Sequence, residues 1–129
     1  MIVLIHVATG GLAGAASGSR ARAALLGPLL HAVCDVIPHE DIPSKRFETA
    51  SGVAAVLLLA RRRGIDAATV GAVASAAPDL EHILPFPRPR GLQLFPTHRW
   101  ARPVRFRGVP AWLQLTVAVP TVAALARRT

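Results

Sequence analysis

The sequence predicts an all-α fold: a small bundle of four to five apolar helices that spans a membrane. Of its 129 residues, 52% are hydrophobic and only 17% are charged, and the mean hydropathy is +0.42. Soluble domains carry about one quarter charged residues. This apolar content exceeds what one small core can bury. We therefore expect a single helical membrane domain over residues 1–129 that crosses the bilayer several times.

Five apolar stretches are expected to form the helices. They are longer than typical strands and rich in Ala and Leu, which favours helix. They cover residues 2–17, 23–37, 49–60, 67–84 and 109–126. Several are shorter than about 17 residues, the lower limit for a span. Flanking residues, a locally thinned bilayer or a buried soluble bundle would each account for this. Residues 85–108, rich in Pro and Arg, are predicted to form a long basic loop.

Small residues in the first stretch predict close helix packing. Gly10, Gly14 and Gly18 are four residues apart, which places a smooth groove on one helix face. Asp66 precedes the fourth stretch and is expected to cap its N-terminus. The one cysteine, Cys34, excludes an intrachain disulfide.

The basic residues are distributed unevenly along the chain. The net charge is +8, and arginine clusters follow the first, third and fifth stretches, which places all three at one end of the bundle. The loop also holds Phe95, Trp100 and Phe106, which could stack on the bases of a nucleic acid. Contact of this basic strip with anionic membrane lipid is the preferred interpretation, and we expect no nucleic-acid partner.

The histidines and nearly all the acids are predicted to gather at the other end of the bundle. His31 and Asp35 are four residues apart, and Asp79 and His82 are three apart, so each pair shares a helix face. A histidine and a carboxylate on adjacent turns can present nitrogen and oxygen ligands to zinc or a similar divalent cation. A buried His–Asp hydrogen bond or solvated turn charges would explain the same residues without a metal. The predicted metal ligands are His6, His31, Asp35, His39, Asp79, His82 and His98.

Two short motifs resemble those of known families. The run from His31 to Asp41, HAVCDVIPHED, resembles the His-x3-Asp-x2-Pro-His-x-Asp pattern of uncharacterised bacterial membrane proteins related to zinc-dependent phospholipases C. The run PDLEH from Pro78 and the pair Thr97-His98 are similar to stretches of inner-membrane metal-dependent hydrolases. Those hydrolases usually carry Asp where this chain has Glu81.

The resemblance implies a membrane-embedded, zinc-dependent hydrolase of the bacterial inner membrane that acts on a phosphoester, including a lipid headgroup. His6, His31, Asp35, His39 and Asp79 would then hold one or more metals. Glu48 or Asp41 would be the general base or a further ligand. Guanidinium groups match phosphate geometry, so a substrate phosphate would pair with Arg88, Arg90 or Arg99.

A non-catalytic membrane protein is the alternative, with the polar cluster serving metal binding, transport or bundle stability. Other enzyme classes find no support in the sequence. There is no evident Ser/His/Asp triad. The glycines from Gly10 to Gly14 fall in a helix without a preceding strand or the lysine of a phosphate-binding loop.

Overall fold

The computed structural model describes residues 1–99 and 108–127 and confirms the all-α prediction. Within these residues there is no strand, and one isolated bridge joins His39 to Val109. The helices are α1 (Val3–Ser17), α2 (Arg20–Val36), α3 (Lys45–Arg63), α4 (Ala67–Ala76) and α5 (Ala111–Ala126). A 3₁₀ helix, Ala77–His82, continues α4, and two further 3₁₀ turns, Pro89–Gly91 and Pro96–Arg99, lie in the segment predicted to be a loop.

The prediction of a membrane-spanning, multi-pass protein is wrong. In the described part of the chain no helix is both long and apolar enough to cross a bilayer. α1 has 15 residues and therefore a length of about 22 Å at 1.5 Å per residue, whereas a bilayer core is about 30 Å thick. α3 is longer, with 19 residues, but charged side chains occupy both of its ends.

The apolar fraction of the sequence is divided between the core and the outer helix faces. Ile2, Val7 and Leu59 lie in the buried core. On α2, by contrast, Leu25 and Leu29 are 74% and 63% exposed. These two residues are four apart and so lie on one outward face of that helix. Composition therefore overstated the size of the core, because many apolar side chains point outward.

α1 lies at the centre of the bundle, in contact with the other four helices, and its glycines set its distance from α4. A Cβ at Gly10 would overlap the carbonyl oxygen of Gly71, and one at Gly14 would overlap that of Ala67. The two backbones therefore touch, as the glycine spacing predicted for Gly10 and Gly14. Gly18 does not take part in this packing. It ends α1 with a left-handed φ of 61°, a conformation that glycine adopts without strain.

Side-chain caps fix where the helices begin. Ser19 caps α2 and Ser44 caps α3, each accepting a backbone hydrogen bond from within the first turn. The predicted cap at Asp66 is confirmed, since its Oδ1 accepts from the Thr69 nitrogen at 3.0 Å. Each cap satisfies one of the backbone donors that the first turn of a helix leaves without an intrahelical partner.

Buried Gln114 of α5 joins the start of the chain to the turn after α2. Its Oε1 accepts from the Ile2 nitrogen at 3.0 Å, and its Nε2 donates to the Glu40 carbonyl oxygen at 2.7 Å. In the same region the Val109 nitrogen donates to the Pro38 carbonyl oxygen at 2.8 Å. The N-terminal residues and the turn at 38–40 are thus held beside the polar end of the bundle.

Candidate metal centre

Four separate segments bring predicted ligands to one point. His6 comes from α1, His31 and Asp35 from α2, Asp79 from the 3₁₀ helix after α4, and His98 from the turn Pro96–Arg99. The change from α4 to a 3₁₀ helix occurs next to a proline at position 78, whose ring removes a backbone donor. Segments far apart in sequence therefore converge because the helices pack side by side.

Asp35 is the hub of this cluster, with a side chain only 10% exposed. Its Oδ2 lies 3.0 Å from His31 Nε2 and 3.4 Å from His98 Nε2. Its Oδ1 lies 3.2 Å from His6 Nε2, although the two atoms are not aligned for a hydrogen bond. Thr97 Oγ1 donates to Oδ2 at 3.0 Å. One carboxylate therefore faces three imidazole nitrogens.

The other ring nitrogens reveal which tautomers face the hub. His31 Nδ1 lies 2.8 Å from the Ser75 carbonyl oxygen, which can only accept, so Nδ1 donates. His98 Nδ1 donates in the same way to the Glu81 carboxylate. In the neutral rings both Nε2 atoms then carry lone pairs, and these two atoms are 3.0 Å apart. Such an arrangement repels itself unless a cation or an extra proton lies between the rings.

Several buried atoms of the cluster lack a hydrogen-bond partner among the described residues. They include both ring nitrogens of His6, which is fully buried, and Asp79 Oδ2. The His6 ring stacks on that of His31, with centroids 3.9 Å apart. Buried polar atoms are almost always paired, so unpaired ones in a cluster of histidines and acids fit the donor atoms of an ion site.

Burial and neighbouring charges shift the pKa values of the clustered histidines and aspartates in different directions. Burial lowers the pKa of His6 to about 4, and burial raises that of Asp79 to about 6. Burial would also raise the pKa of Asp35, but the imidazoles of His31, His6 and His98 beside the carboxylate outweigh it and hold the pKa far below its usual range. Despite the opposing effect of burial, the pKa of His98 is raised by contact with carboxylates. Asp35 is therefore ionised at neutral pH, and its carboxylate can bind a cation.

The donor atoms fit a metal ion. Three overlapping groups, each with ligand atoms within 4.8 Å of one another, occur in the described residues: His6/His31/Asp79, His31/Asp35/His98 and Asp79/His82/His98. Two ligands of one zinc ion, each about 2.0–2.2 Å from it, lie at most about 4.4 Å apart. The spacing in the second group meets this limit. The protein thus has groups of histidines and aspartates that could hold a metal ion, with His82 at the exposed edge.

The predicted ligand His39 and the predicted general bases lie beside the centre rather than in these groups. His39 Nε2 is 3.3 Å from Asp41 Oδ1, and contact with Asp41 raises the pKa of His39. The Met1 amino group lies 3.0 Å from Asp35 Oδ1 and 3.8 Å from Asp41 Oδ1, between the two sites. Glu48 Oε1 accepts from the backbone nitrogen at position 42 at 2.8 Å, so this carboxylate braces the turn before α3.

The three arginines expected to bind substrate phosphate differ in their positions. Arg88 Nη2 donates to the Glu81 carbonyl oxygen at 2.6 Å, which places it next to the 3₁₀ helix of the centre. Arg90 is exposed and has a left-handed φ of 56°. The side chain of Arg99 lies outside the described part of the structure, as do residues 100–107 of the loop, with the aromatic residues Trp100 and Phe106.

The sequence did not identify some residues that shape the centre. Glu81, which was not selected as a site residue, is 4% exposed and contacts His98. Phe95, considered only for base stacking, packs edge-on against His31 with centroids 5.0 Å apart. Its position between Glu81 and His98 in the folded loop was not visible in the sequence. No repeat in the spacing of residues marks Glu81 as a partner of the loop that contains Phe95.

No protein-family model, curated protein or solved structure matches this chain.

Proposed function

We propose that this protein is a zinc-type, metal-dependent hydrolase that acts on phosphoesters. The observation that carries the proposal is the meeting of His31 Nε2, His98 Nε2 and the Asp35 carboxylate within 3.0–3.4 Å. These atoms repel one another unless a positive charge lies among them. Two imidazoles and a carboxylate suit zinc, and His6 and Asp79 supply further donor atoms next to His31.

The metal would supply Lewis acidity, which lowers the pKa of water towards neutrality and polarises a phosphoryl oxygen. The ligands on α1 and α2 would hold this charge rigidly, since both helices are packed in the bundle. The exposed edge at His82 provides the side from which a substrate could approach.

The exposed Asp41 is the better of the two general-base candidates. Its side chain is 64% exposed, whereas Glu48 uses its carboxylate to bind the backbone. Asp41 and the hub Asp35 both lie within 4 Å of the same amino nitrogen, which places Asp41 at the margin of the centre. Contact with His39 lowers the pKa of Asp41, so this carboxylate is an anion at neutral pH.

Substrate choice follows from charge. Arg88 is tied to the carbonyl oxygen of Glu81, and a guanidinium beside a metal centre suits the oxygens of a phosphoester. The resemblance to phospholipase-like proteins favours a lipid headgroup among the phosphoesters. We assign Arg88, rather than the exposed Arg90, to the substrate phosphate.

A non-catalytic metal site is the second candidate. It is favoured by burial, because His6 and His31 are both fully buried. Structural metal sites are closed, whereas catalytic ones keep an open position for water.

Metal analysis of the purified protein tests the centre itself. We expect at least one equivalent of zinc after loading and desalting, and loss of that metal from His31→Ala but not from Asp66→Asn, a change at the far end of the bundle. Fewer than about 0.2 equivalents in the unaltered protein would reject the metal centre.

Turnover separates the two candidates. The zinc-loaded protein is assayed on phosphomonoesters, phosphodiesters and dispersed phospholipids, with and without a chelator. Hydrolysis that the chelator abolishes and zinc restores supports the hydrolase, and Arg88→Ala should then raise KM more than it lowers kcat. Stoichiometric zinc without turnover on any of these substrates favours the non-catalytic site.

A further inference from the structure

Glu81 carries a buried carboxylate that is hydrogen-bonded to the loop 94–98. It lies in the 3₁₀ helix Ala77–His82 and is 4% exposed. Its side chain accepts hydrogen bonds from the backbone nitrogens of Leu94 and Phe95, the latter at 3.3 Å, and from His98 Nδ1. A charge this deeply buried is tolerated only when it is paired and hydrogen-bonded. The loop 94–98 supplies those partners.

The same contact decides which nitrogen of His98 faces the centre. An ionised carboxylate only accepts hydrogen bonds, so the proton of the neutral ring is held on Nδ1. Nε2 is then free of a proton and lies 3.4 Å from Asp35 Oδ2 and 3.0 Å from His31 Nε2. This is the geometry in which an outer carboxylate orients a metal-ligating histidine.

His31 is oriented by a different kind of partner. The acceptor at its Nδ1 is the backbone carbonyl oxygen of Ser75, at 2.8 Å. A backbone acceptor belongs to the fold and is not removed by changing the side chain. Of these two ligands, only His98 depends on another residue's side chain for its tautomer.

We propose that Glu81 is a positioning residue: it fixes His98 as the Nδ1–H tautomer and fastens the loop 94–98 so that Nε2 reaches the centre. The inference rests on the proposed metal centre for its effect on affinity. Its effect on the tautomer does not need a metal. Glu81 itself is not a ligand, because its carboxylate is occupied by the loop and by the outer face of His98.

Glu81→Gln is the informative substitution, because it keeps the size of the side chain. Its amide cannot accept from the ring and from both loop nitrogens as the carboxylate does, since one end of the amide is a donor. We expect zinc affinity, measured by competition with a chromophoric chelator, to fall about ten- to a hundredfold. Asp66→Asn, an equal carboxylate-to-amide change at the far end, should leave the affinity unchanged.

Nitrogen-15 NMR of the histidine rings, recorded without metal and at a pH high enough that the His98 ring is neutral, is the readout that a merely structural role would not move. The signals of His98 are identified by their absence from the spectrum of His98→Gln. In the unaltered protein the His98 signals should show the Nδ1–H tautomer, and in Glu81→Gln the Nε2–H tautomer should appear. If Glu81→Gln fails to fold, Glu81→Asp is used. It keeps the charge, has a shorter reach, and should give a mixture of tautomers.

The outcomes distinguish the two proposals. If the unaltered protein binds no metal but Glu81→Gln changes the tautomer, the metal centre fails and the positioning role stands. If zinc binds and Glu81→Gln alters neither affinity nor tautomer, the positioning role is overturned while the metal centre survives. A fall in affinity with an unchanged tautomer also overturns it, because the carboxylate would then act through charge alone.

Discussion

At the end of the bundle where α3 meets α4, Arg63 donates to Asp66 at 2.8 Å and to the Leu125 carbonyl oxygen at 2.9 Å. Arg63 and Asp66 form an ion pair there, and both side chains are partly exposed to solvent. At the opposite end, Asp35 faces three histidines, and the Nε2 atoms of His31 and His98 lie 3.0 Å apart. The contrast teaches that counting charges does not identify a site. The chemistry of the converging atoms does, because imidazole nitrogens and carboxylate oxygens from separate segments face one another at the histidine end.

Of the changes considered at the two ends of the bundle, His31→Ala should have the largest effect, which is on zinc affinity. His31 belongs to two of the three ligand groups, so its removal should weaken zinc binding by more than about a hundredfold. Isothermal titration with zinc measures this. Equal zinc affinity for the variant and the unaltered protein would mean that the converging acceptors do not form the metal site.

Gly10→Ala should destabilise the packing of α1 against α4 without altering any predicted metal ligand. The added methyl would overlap the Gly71 carbonyl oxygen, and backbone cannot move aside as a flexible side chain can. We expect a loss of about 3 kcal/mol in the free energy of unfolding, measured by urea denaturation. Gly18→Ala is the contrasting variant, since a Cβ there meets no atom within 4 Å and only the left-handed backbone is strained. An equally large loss from both would show that close packing is not the cause.

Zinc binding should raise the free energy of unfolding by an amount close to the loss expected from Gly10→Ala. At a free concentration a hundred times the dissociation constant, binding to the folded state adds about 2.7 kcal/mol. Thermal denaturation with and without a chelator checks this. The stabilisation should persist in Asp66→Ala and vanish in His31→Ala, because only the latter loses a ligand.

Asp66→Ala should give the smallest effect, about 1 kcal/mol of lost stability from the missing helix cap. Burial opposes ionisation of Asp66, but hydrogen bonds from Thr69 and Arg63 outweigh it and lower the pKa. A lowered folded-state pKa means that the stabilisation is present above the unfolded-state value and is lost as the pH falls through the folded-state value. The stability difference between the two proteins should therefore be constant near neutral pH and shrink in acid. A difference that grows in acid would refute this account of the cap.

How far the sequence could predict the molecule depended on whether the signal was local. The helices, the cap at Asp66 and the packing face at Gly10 and Gly14 follow from spacing along a single helix, and the structure confirms them. The four-residue separation of His31 and Asp35 likewise placed two candidate ligands side by side before any tertiary contact was known.

Features that depend on tertiary packing could not be read in the same way. Composition suggested a membrane span because it does not distinguish a buried leucine from an outward-facing one such as Leu25. The role of Glu81 depends on how the loop 94–98 folds back, and the orientation of His31 depends on a carbonyl oxygen that every residue possesses. Neither leaves a periodic trace in the sequence.

The backbone contact between α1 and α4 has one more consequence. His6 lies one turn before Gly10, and Asp79 follows two turns after Gly71, so main chain rather than side-chain packing fixes the gap between these two donors. A gap fixed in this way should resist change when the donor atoms themselves are exchanged. Replacing the imidazole of His6 by a thiolate or a carboxylate would then vary the chemistry of the ligand at constant backbone spacing, which is the comparison needed to learn how ion preference depends on the donor side chain.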